Sequence, residues 1–254
     1  MRLDDFIRMM NEIAPPELAM DFDNVGLLVG RERKEIKKVL VALDCTVQTV
    51  SEAAMFGADL LLTHHPIFFT PVKRILPDDP DTAAAYMLIK HGIAHFAMHT
   101  NLDKAPGGVN DCLASCLGLN DVIPLPPDEL GRIGNLSNPL RLIYLAHFVE
   151  EKLDTTVRFC GDENALISKA ALIGGSGGSD FMHAHTSGAD VLITGEIKHN
   201  QALSAKHLGL CMIEAGHYET ERVVLLPLIN RLQTISNDVQ YKLTLSQTSC
   251  LRGV

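Results

Sequence analysis

Nowhere in the 254 residues does an apolar run reach the roughly 18 residues that a bilayer-spanning helix needs. The opening MRLDDFIRMMNE lacks the basic, acid-free start of a signal or transit peptide. Basic residues are in deficit: 22 Lys and Arg face 31 Asp and Glu, a formal charge of −9. That balance disfavours nucleic acid as a partner, because phosphate contact relies on dense Lys and Arg. The one basic run, Arg31-Glu32-Arg33-Lys34-Glu35-Ile36-Lys37-Lys38, is interleaved with acids and leads into a strand, so it reads as a solvated turn. The six cysteines form no C-x-x-C pair and no framework spacing, which argues against a disulfide scaffold and for a reducing compartment. A soluble, cytoplasmic protein with no membrane partner is expected.

What remains is a globular composition, 46% hydrophobic and 21% charged, long enough for one large domain or two small lobes. Strand and helix signals alternate. Leu3 to Ile13 has helical periodicity and stops at Pro15-Pro16. Val39–Leu43 is too short for a helix and suits a buried strand; Val47 to Phe56 reads as a helix closed by Gly57. Leu60–Thr63 is the next strand, Thr82 to Lys90 the next helix and Ile93 to Met98 the third strand. Such an order predicts parallel strands with crossover helices. The stretch from Gly118 to Pro139, rich in proline and glycine, interrupts the rhythm and suggests a lobe boundary. The expectation is therefore a first lobe over 1–125, with a contribution from the C-terminal helix and strand, and a second over 126–254. A helix at Leu140 to Lys152, strands at 156–159, 170–173, 191–194 and 210–213, a helix from Tyr218 to about Gln233 and a strand from Val239 to Leu243 complete it.

One internal repeat stands out. Gly57-Ala58-Asp59-Leu60-Leu61-Leu62-Thr63 recurs as Gly188-Ala189-Asp190-Val191-Leu192-Ile193-Thr194. After each copy, the next apolar strand leads to a histidine with an acid four residues on: His99 with Asp103, and His217 with Glu221. Two related α/β lobes are expected, with mostly parallel sheets flanked by helices and a metal site in the cleft between them. In open α/β sheets, ligands gather beyond the C-terminal strand ends, where these residues fall.

His64-His65-Pro66 directly follows the strand Leu60–Thr63. Two adjacent imidazoles at a strand end can serve two neighbouring metal centres, although the dipeptide alone is more often just a pair of loop histidines. His217 and Glu221 lie one helical turn apart, and Glu221 has two oxygens with which to bridge or chelate. Asp103 adds a second carboxylate from another strand end. These five ligands are too few to saturate two metals, and open positions imply bound water and hydrolysis. By the repeat, His99 is the counterpart of His217 and Glu196 that of the histidine pair; both are candidates for orienting ligands or carrying protons. Lys198 and His199 follow and would reach a phosphate or simply be solvated. The Gly174–Ser179 run fits neither the dinucleotide pattern nor the P-loop and reads chiefly as a tight strand-to-helix turn, phosphate binding being the lesser reading.

Asp23-Asn24-Val25-Gly26-Leu27-Leu28-Val29-Gly30, Leu61-Leu62-Thr63-His64-His65-Pro66, His99-Thr100-Asn101-Leu102-Asp103, Gly107-Gly108-Val109-Asn110 and Gly216-His217-Tyr218-Glu219-Thr220-Glu221 together resemble the "GTP cyclohydrolase 1 type 2 homolog" family, also called NGG-interacting factor 3-like. The resemblance runs from about Phe6 to Val239. It implies a two-lobed α/β protomer, a dinuclear metal centre and a toroidal homohexamer, with metal ligands at His64, His65, Asp103, His217 and Glu221. Phe22 stands where the family usually has tryptophan and Leu28 where glutamine is common, so the resemblance does not carry over substrate contacts near that loop, while the metal ligands are untouched.

Three functions are consistent with these residues. The first is a dinuclear metal-dependent hydrolase using two divalent ions (Zn, Mn, Fe or Ni), with metal-bound hydroxide opening the purine ring of GTP or a related nucleotide at C8, and His99 or Glu196 moving protons. The second is a non-catalytic metal-binding scaffold or metal chaperone. The third, weaker, is a metal-dependent phosphoester hydrolase.

Overall fold

The computed structural model describes residues 1–30 and 35–251. The first half of the predicted basic turn, Arg31–Lys34, lies outside them. The chain divides into two compact units, 1–106 with 225–248, and 107–224 with 249–254. The division thus falls at Pro106/Gly107 rather than at 125/126, and the chain returns to the first unit at Leu225.

The first unit runs α1 (Leu3–Ile13), β1 (Gly26–Val29), β2 (Lys38–Ala42), α2 (Val47–Phe56), β3 (Leu60–Thr63), α3 (Ala83–His91), β4 (Ala94–Ala97) and α4 (Thr100–Lys104). The second holds α5 (Val109–Cys116), β5 (Asn120–Pro124), β6 (Arg132–Arg141), α6 (Leu142–Leu153), β7 (Arg158–Cys160), β8 (Leu166–Ile173), α7 (Phe181–Thr186), β9 (Val191–Thr194), α8 (His199–His207), β10 (Cys211–Glu214) and α9 (His217–Glu221). The chain then completes the first unit with α10 (Leu225–Ile235) and β11 (Gln240–Leu243).

The first sheet has the order β1-β4-β3-β2-β11, parallel except for β1. Its inner strands are mostly apolar because both faces are covered, with His95 of β4 and Thr63 of β3 buried among them. Val29, Leu40, Ala42, Leu61 and Ile93 form one face of the core with Val50 and Ala53 of α2 and Ala84 and Leu88 of α3. Across the sheet, Phe6 of α1 meets Phe96 of β4 edge-on, with ring centroids 6.3 Å apart. Glu52 of α2 ties down the chain after β11: it accepts from the Thr244 hydroxyl at 2.6 Å and from the backbone N–H groups of Leu245 and Ser246, and pairs with Lys242 at 3.0 Å. Burial alone would raise the Glu52 carboxyl, but these bonds outweigh it and hold the group at about 2.

The second sheet has the order β5-β6-β8-β9-β10-β7. The α/β class is as expected, but the sheets are mixed: here only β8, β9 and β10 run parallel, and β5, β6 and β7 are antiparallel. The proline-rich stretch forms the β5–β6 hairpin. Its prolines sit where a sheet tolerates them: Pro124 ends an edge strand, Pro126 and Pro127 lie in the turn, and Pro139 falls where the β6–β8 register shifts between Asn135 and Leu140. The helix expected from Tyr218 is two helices, α9 and α10, joined by a 3-10 turn at Arg222–Val224. Pro227 requires a first-turn position because it has no N–H to donate, and α10 starts two residues before it.

The sequence repeat is a repeated structural device. Gly57 and Gly188 end the preceding helical segments with φ of 70° and 76°. Asp59 then accepts from the N–H groups of Lys37 (2.8 Å) and Lys38 (3.0 Å) on the adjoining strand, and Asp190 does the same for Ser168 (2.8 Å) and Lys169 (2.9 Å). Lys38 and Lys169 return their ammonium groups to the carbonyls of Phe56 and Ser187. Each copy thereby fixes the start of a parallel strand pair and, with it, the level at which the strand ends reach Thr63 and Thr194.

Candidate metal centre

In the first unit, His64 and His65 leave the end of β3, and His99 stands between β4 and α4. Their ring centroids lie 4.9 Å (His64–His65), 5.2 Å (His64–His99) and 5.5 Å (His65–His99) apart. One ring nitrogen of each lies within 4.8 Å of the others, as metal ligation would require.

Every ring is anchored at Nδ1. His64 Nδ1 donates to the Met98 carbonyl at 2.9 Å, His65 Nδ1 to Asp44 Oδ1 at 2.6 Å and His99 Nδ1 to Asp23 Oδ1 at 2.8 Å. Such partners select the tautomer with its lone pair on Nε2, the form that binds a metal. His64 Nε2 lies 3.6 Å from Asp103 Oδ1 on α4, and both side chains are buried.

The anchors are themselves held. Asp44 accepts from the Gln247 side chain, whose Oε1 takes the N–H groups of Leu43 and Asp44. Asp23 accepts from the backbone N–H (2.9 Å) and the hydroxyl of Thr100. Burial raises the Asp23 carboxyl, but the bonds from His99 and Thr100 overcome it and hold the group well below the ordinary carboxylate range.

In the second unit, His217 and Glu221 begin and end α9, with His217 Nε2 3.2 Å from Glu221 Oε1. His217 Nδ1 donates to Glu196 Oε1 at 2.7 Å, so Glu196 plays for His217 the part that Asp44 plays for His65. Strand register pairs Thr63 with Ala97 and Thr194 with Glu214, which makes His65 equivalent to Glu196, as the repeat suggests. The same register aligns His99 with Gly216, one residue before His217. His99 precedes its helix and His217 opens one, so the two histidines are not equivalent.

The glycine-rich run serves this group. Gly174, Gly175 and Gly177 spend their N–H groups on Asn110 Oδ1 (2.8 Å), the Thr220 hydroxyl (3.0 Å) and the Thr194 hydroxyl (2.9 Å). It is a strand-to-helix turn, and those three donors are committed inside the protein. Gly175, at φ +65°, lies so close to Glu221 that a Cβ there would collide with Oε1 and stand 3.2 Å from His217 Nε2. Lys198 and His199 are exposed.

Imidazoles anchored through Nδ1, with buried carboxylates beside Nε2, have the donor chemistry of Zn, Mn, Fe or Ni sites, and these residues fit such ions. A further group, Asp128, Asp180 and His183, also has ligand atoms within 4.8 Å of one another but is mostly exposed or half-exposed. Asp44 and Gln247 had no place in the sequence reading, and Asp23 entered it only within a motif. The one signal for Asp44 was its position directly beyond the apolar β2 run, at a C-terminal strand end.

The fold is that of an α/β protein, and it carries histidine and carboxylate groups that could hold a metal ion. The chain belongs to the Duf34/NIF3 (NGG1p interacting factor 3) family, which it matches over residues 1–250. It is 36% identical over 249 residues, 95% of each chain, to the "GTP cyclohydrolase 1 type 2 homolog" of Clostridium perfringens. A protein of the same designation from Streptomyces coelicolor is 37% identical over 87% of this chain and 81% of its own. The crystal structure of a Staphylococcus aureus hypothetical protein superposes with a TM-score of 0.92 and 31% identity, covering 100% of this chain and 99% of that one. No helix among the described residues is long and apolar enough to cross a membrane.

Proposed function

We propose that this protein is a dinuclear metal-dependent hydrolase that opens the purine ring of GTP or a related nucleotide. His64, His65, Asp103, His217 and Glu221 are the proposed ligands of two divalent ions. The observation that carries the reading is the uniform anchoring of the imidazoles through Nδ1, which puts the lone pair of His64, His65 and His217 on Nε2, the tautomer that binds a metal. When bound, the ions supply an activated water and an electrophilic hold on the substrate.

The chain's own groups then divide the work. Glu196 and Asp44 orient His217 and His65 and increase their basicity as ligands. His99, paired with an ionised Asp23, is the proton carrier: its Nε2 takes a proton from the attacking water as the oxygen bonds to purine C8 and the C8–N7 double bond opens, and delivers that proton to N7. As the C8–N9 bond breaks, the C8 hydroxyl gives its proton through the same Nε2 to N9, leaving a formamide on N7. Phosphoester hydrolysis by the same ligands is the weaker enzymatic alternative.

A second reading is a non-catalytic metal-binding scaffold or chaperone, favoured by the family description as an interacting factor. A homohexamer is the proposed assembly, on the strength of the family resemblance. Cytoplasmic residence accords with six free thiols, of which burial pushes Cys45 up to about 12.

The test loads the protein separately with Mn²⁺, Zn²⁺ and Fe²⁺, adds GTP and follows products by mass spectrometry beside Glu221→Ala. A ring-opened or deformylated product absent from the variant is expected. Released phosphate would favour the phosphoester reading. Unchanged GTP with two metals bound per chain would remove GTP as substrate and favour the scaffold.

A further inference from the structure

Four residues beyond His65, Phe69 places its ring against that of His99, with centroids 5.4 Å apart and planes at 74°, yet 54% of the residue is exposed. A large aromatic side chain so open to water forgoes much of the stabilisation that burial would bring. Its position is nevertheless defined. Asn24 Nδ2 donates to the Phe68 carbonyl at 2.7 Å, and the neighbouring Asp23 takes His99 Nδ1. The segments at 22–24 and 68–69 are thus tied to each other and to His99. Phe22, 66% exposed, lies on the first of them.

The chemistry around Phe69 selects among ligands. Asp23, which holds His99 and is not among the proposed ligands, leaves a phosphate placed beside Phe69 facing a carboxylate. A neutral, flat heterocycle would meet an open π surface next to the imidazole assigned to move protons at the substrate's ring. We propose that Phe69 is the stacking platform for the purine base of a nucleotide substrate, a specificity-determining residue whose role rests on the nucleotide reading above. The base lies on Phe69, its imidazole ring towards His99, and the phosphates extend away from the Asp23 carboxylate.

The test measures binding of GTP, and of inorganic tripolyphosphate as a base-free probe, to the metal-loaded full chain by calorimetry at low temperature. Wild type is compared with Phe69→Ala, Phe69→Leu and Phe69→Tyr, with metal content and thermal unfolding recorded for each. Base–aromatic stacking corresponds to a weakening of GTP binding by about 5- to 140-fold in the alanine variant. Leucine, which keeps apolar bulk without a π face, weakens GTP binding in the same direction and guards against a folding defect in the alanine variant. Tyrosine retains wild-type affinity, and tripolyphosphate binds all four proteins alike. Equal GTP affinity in wild type and both truncated variants, at full metal content, overturns the platform and leaves the nucleotide reading standing. A parallel loss of tripolyphosphate also overturns it. Failure of wild type itself to bind GTP overturns both.

Discussion

Nε2 of His95 donates to the hydroxyl of Thr63 at 2.7 Å in the interior of the first sheet. The direction follows from the next link, since the Thr63 hydroxyl donates to the His65 carbonyl at 2.7 Å and therefore accepts from His95. A fully buried histidine thus braces the loop that carries His64 and His65. Its other nitrogen, Nδ1, has no hydrogen-bond partner among the described residues, and burial pushes the His95 imidazole down to about 3.

A histidine kept neutral in the folded state but protonated in the unfolded chain from about pH 6.5 downward draws the equilibrium towards unfolding as pH falls. Its stabilising contribution is complete above 6.5 and declines between 6.5 and about 3. Urea unfolding of the chelator-treated protein should show this slope, at most about 1.4 kcal/mol per pH unit from this group. His95→Leu should be less stable than wild type at pH 7.5, where Thr63 loses its donor, and the difference should shrink towards pH 5. Parallel stability curves for the two proteins would contradict the assignment.

Removing the carboxylates behind the ligand histidines should weaken metal binding without unfolding the protein. Asp44→Ala and Glu196→Ala are each expected to lower affinity by about 10- to 100-fold, read by competition with a chromophoric chelator. The Glu196 side chain is 54% exposed against 39% for Asp44, so its effect should lie nearer the lower end. Chelator curves superimposing on wild type would show that the anchors do not tune the ligands.

Gly175→Ala and Gly188→Ala make a matched pair. Both positions have left-handed backbone, with φ of +65° and +76°, so each should lose about 1–2 kcal/mol of stability. Only at Gly175 does the added methyl meet Glu221; at Gly188 nothing lies within 4 Å. Metal content should therefore fall in Gly175→Ala and stay at the wild-type level in Gly188→Ala. Equal metal content in both would show that Glu221 accommodates the methyl.

The parallel strands were legible because burial on both faces leaves unbroken apolar runs, such as Val39–Leu43, and because Gly57 marks a helix end in a way few residues can. The hairpin of β5 and β6 was not, since prolines that break a central strand are harmless at an edge, in a turn or at a register shift. β1 was hidden for another reason: its four residues lie inside a motif whose pattern drew attention to substrate contacts. Of the proposed ligands, His64, His65, His217 and Glu221 announce themselves by residue type and spacing. Asp44 and Gln247 do not, because their role comes from contacts between distant segments, and Gln247 reaches Leu43 and Asp44 only after the chain has passed through the second unit.

That passage has a consequence for synthesis. On one side β2 pairs with β3, which follows it closely, but on the other it pairs with β11, which leaves the ribosome only after the whole of 107–224. Until then the nascent chain presents Val39–Ala42 as an apolar strand with an unpaired edge, the form most prone to recruit a neighbouring chain. A message truncated before Gln240 would yield a protein with all five proposed ligands and an adhesive edge, so the final strand guards the nascent sheet against aggregation.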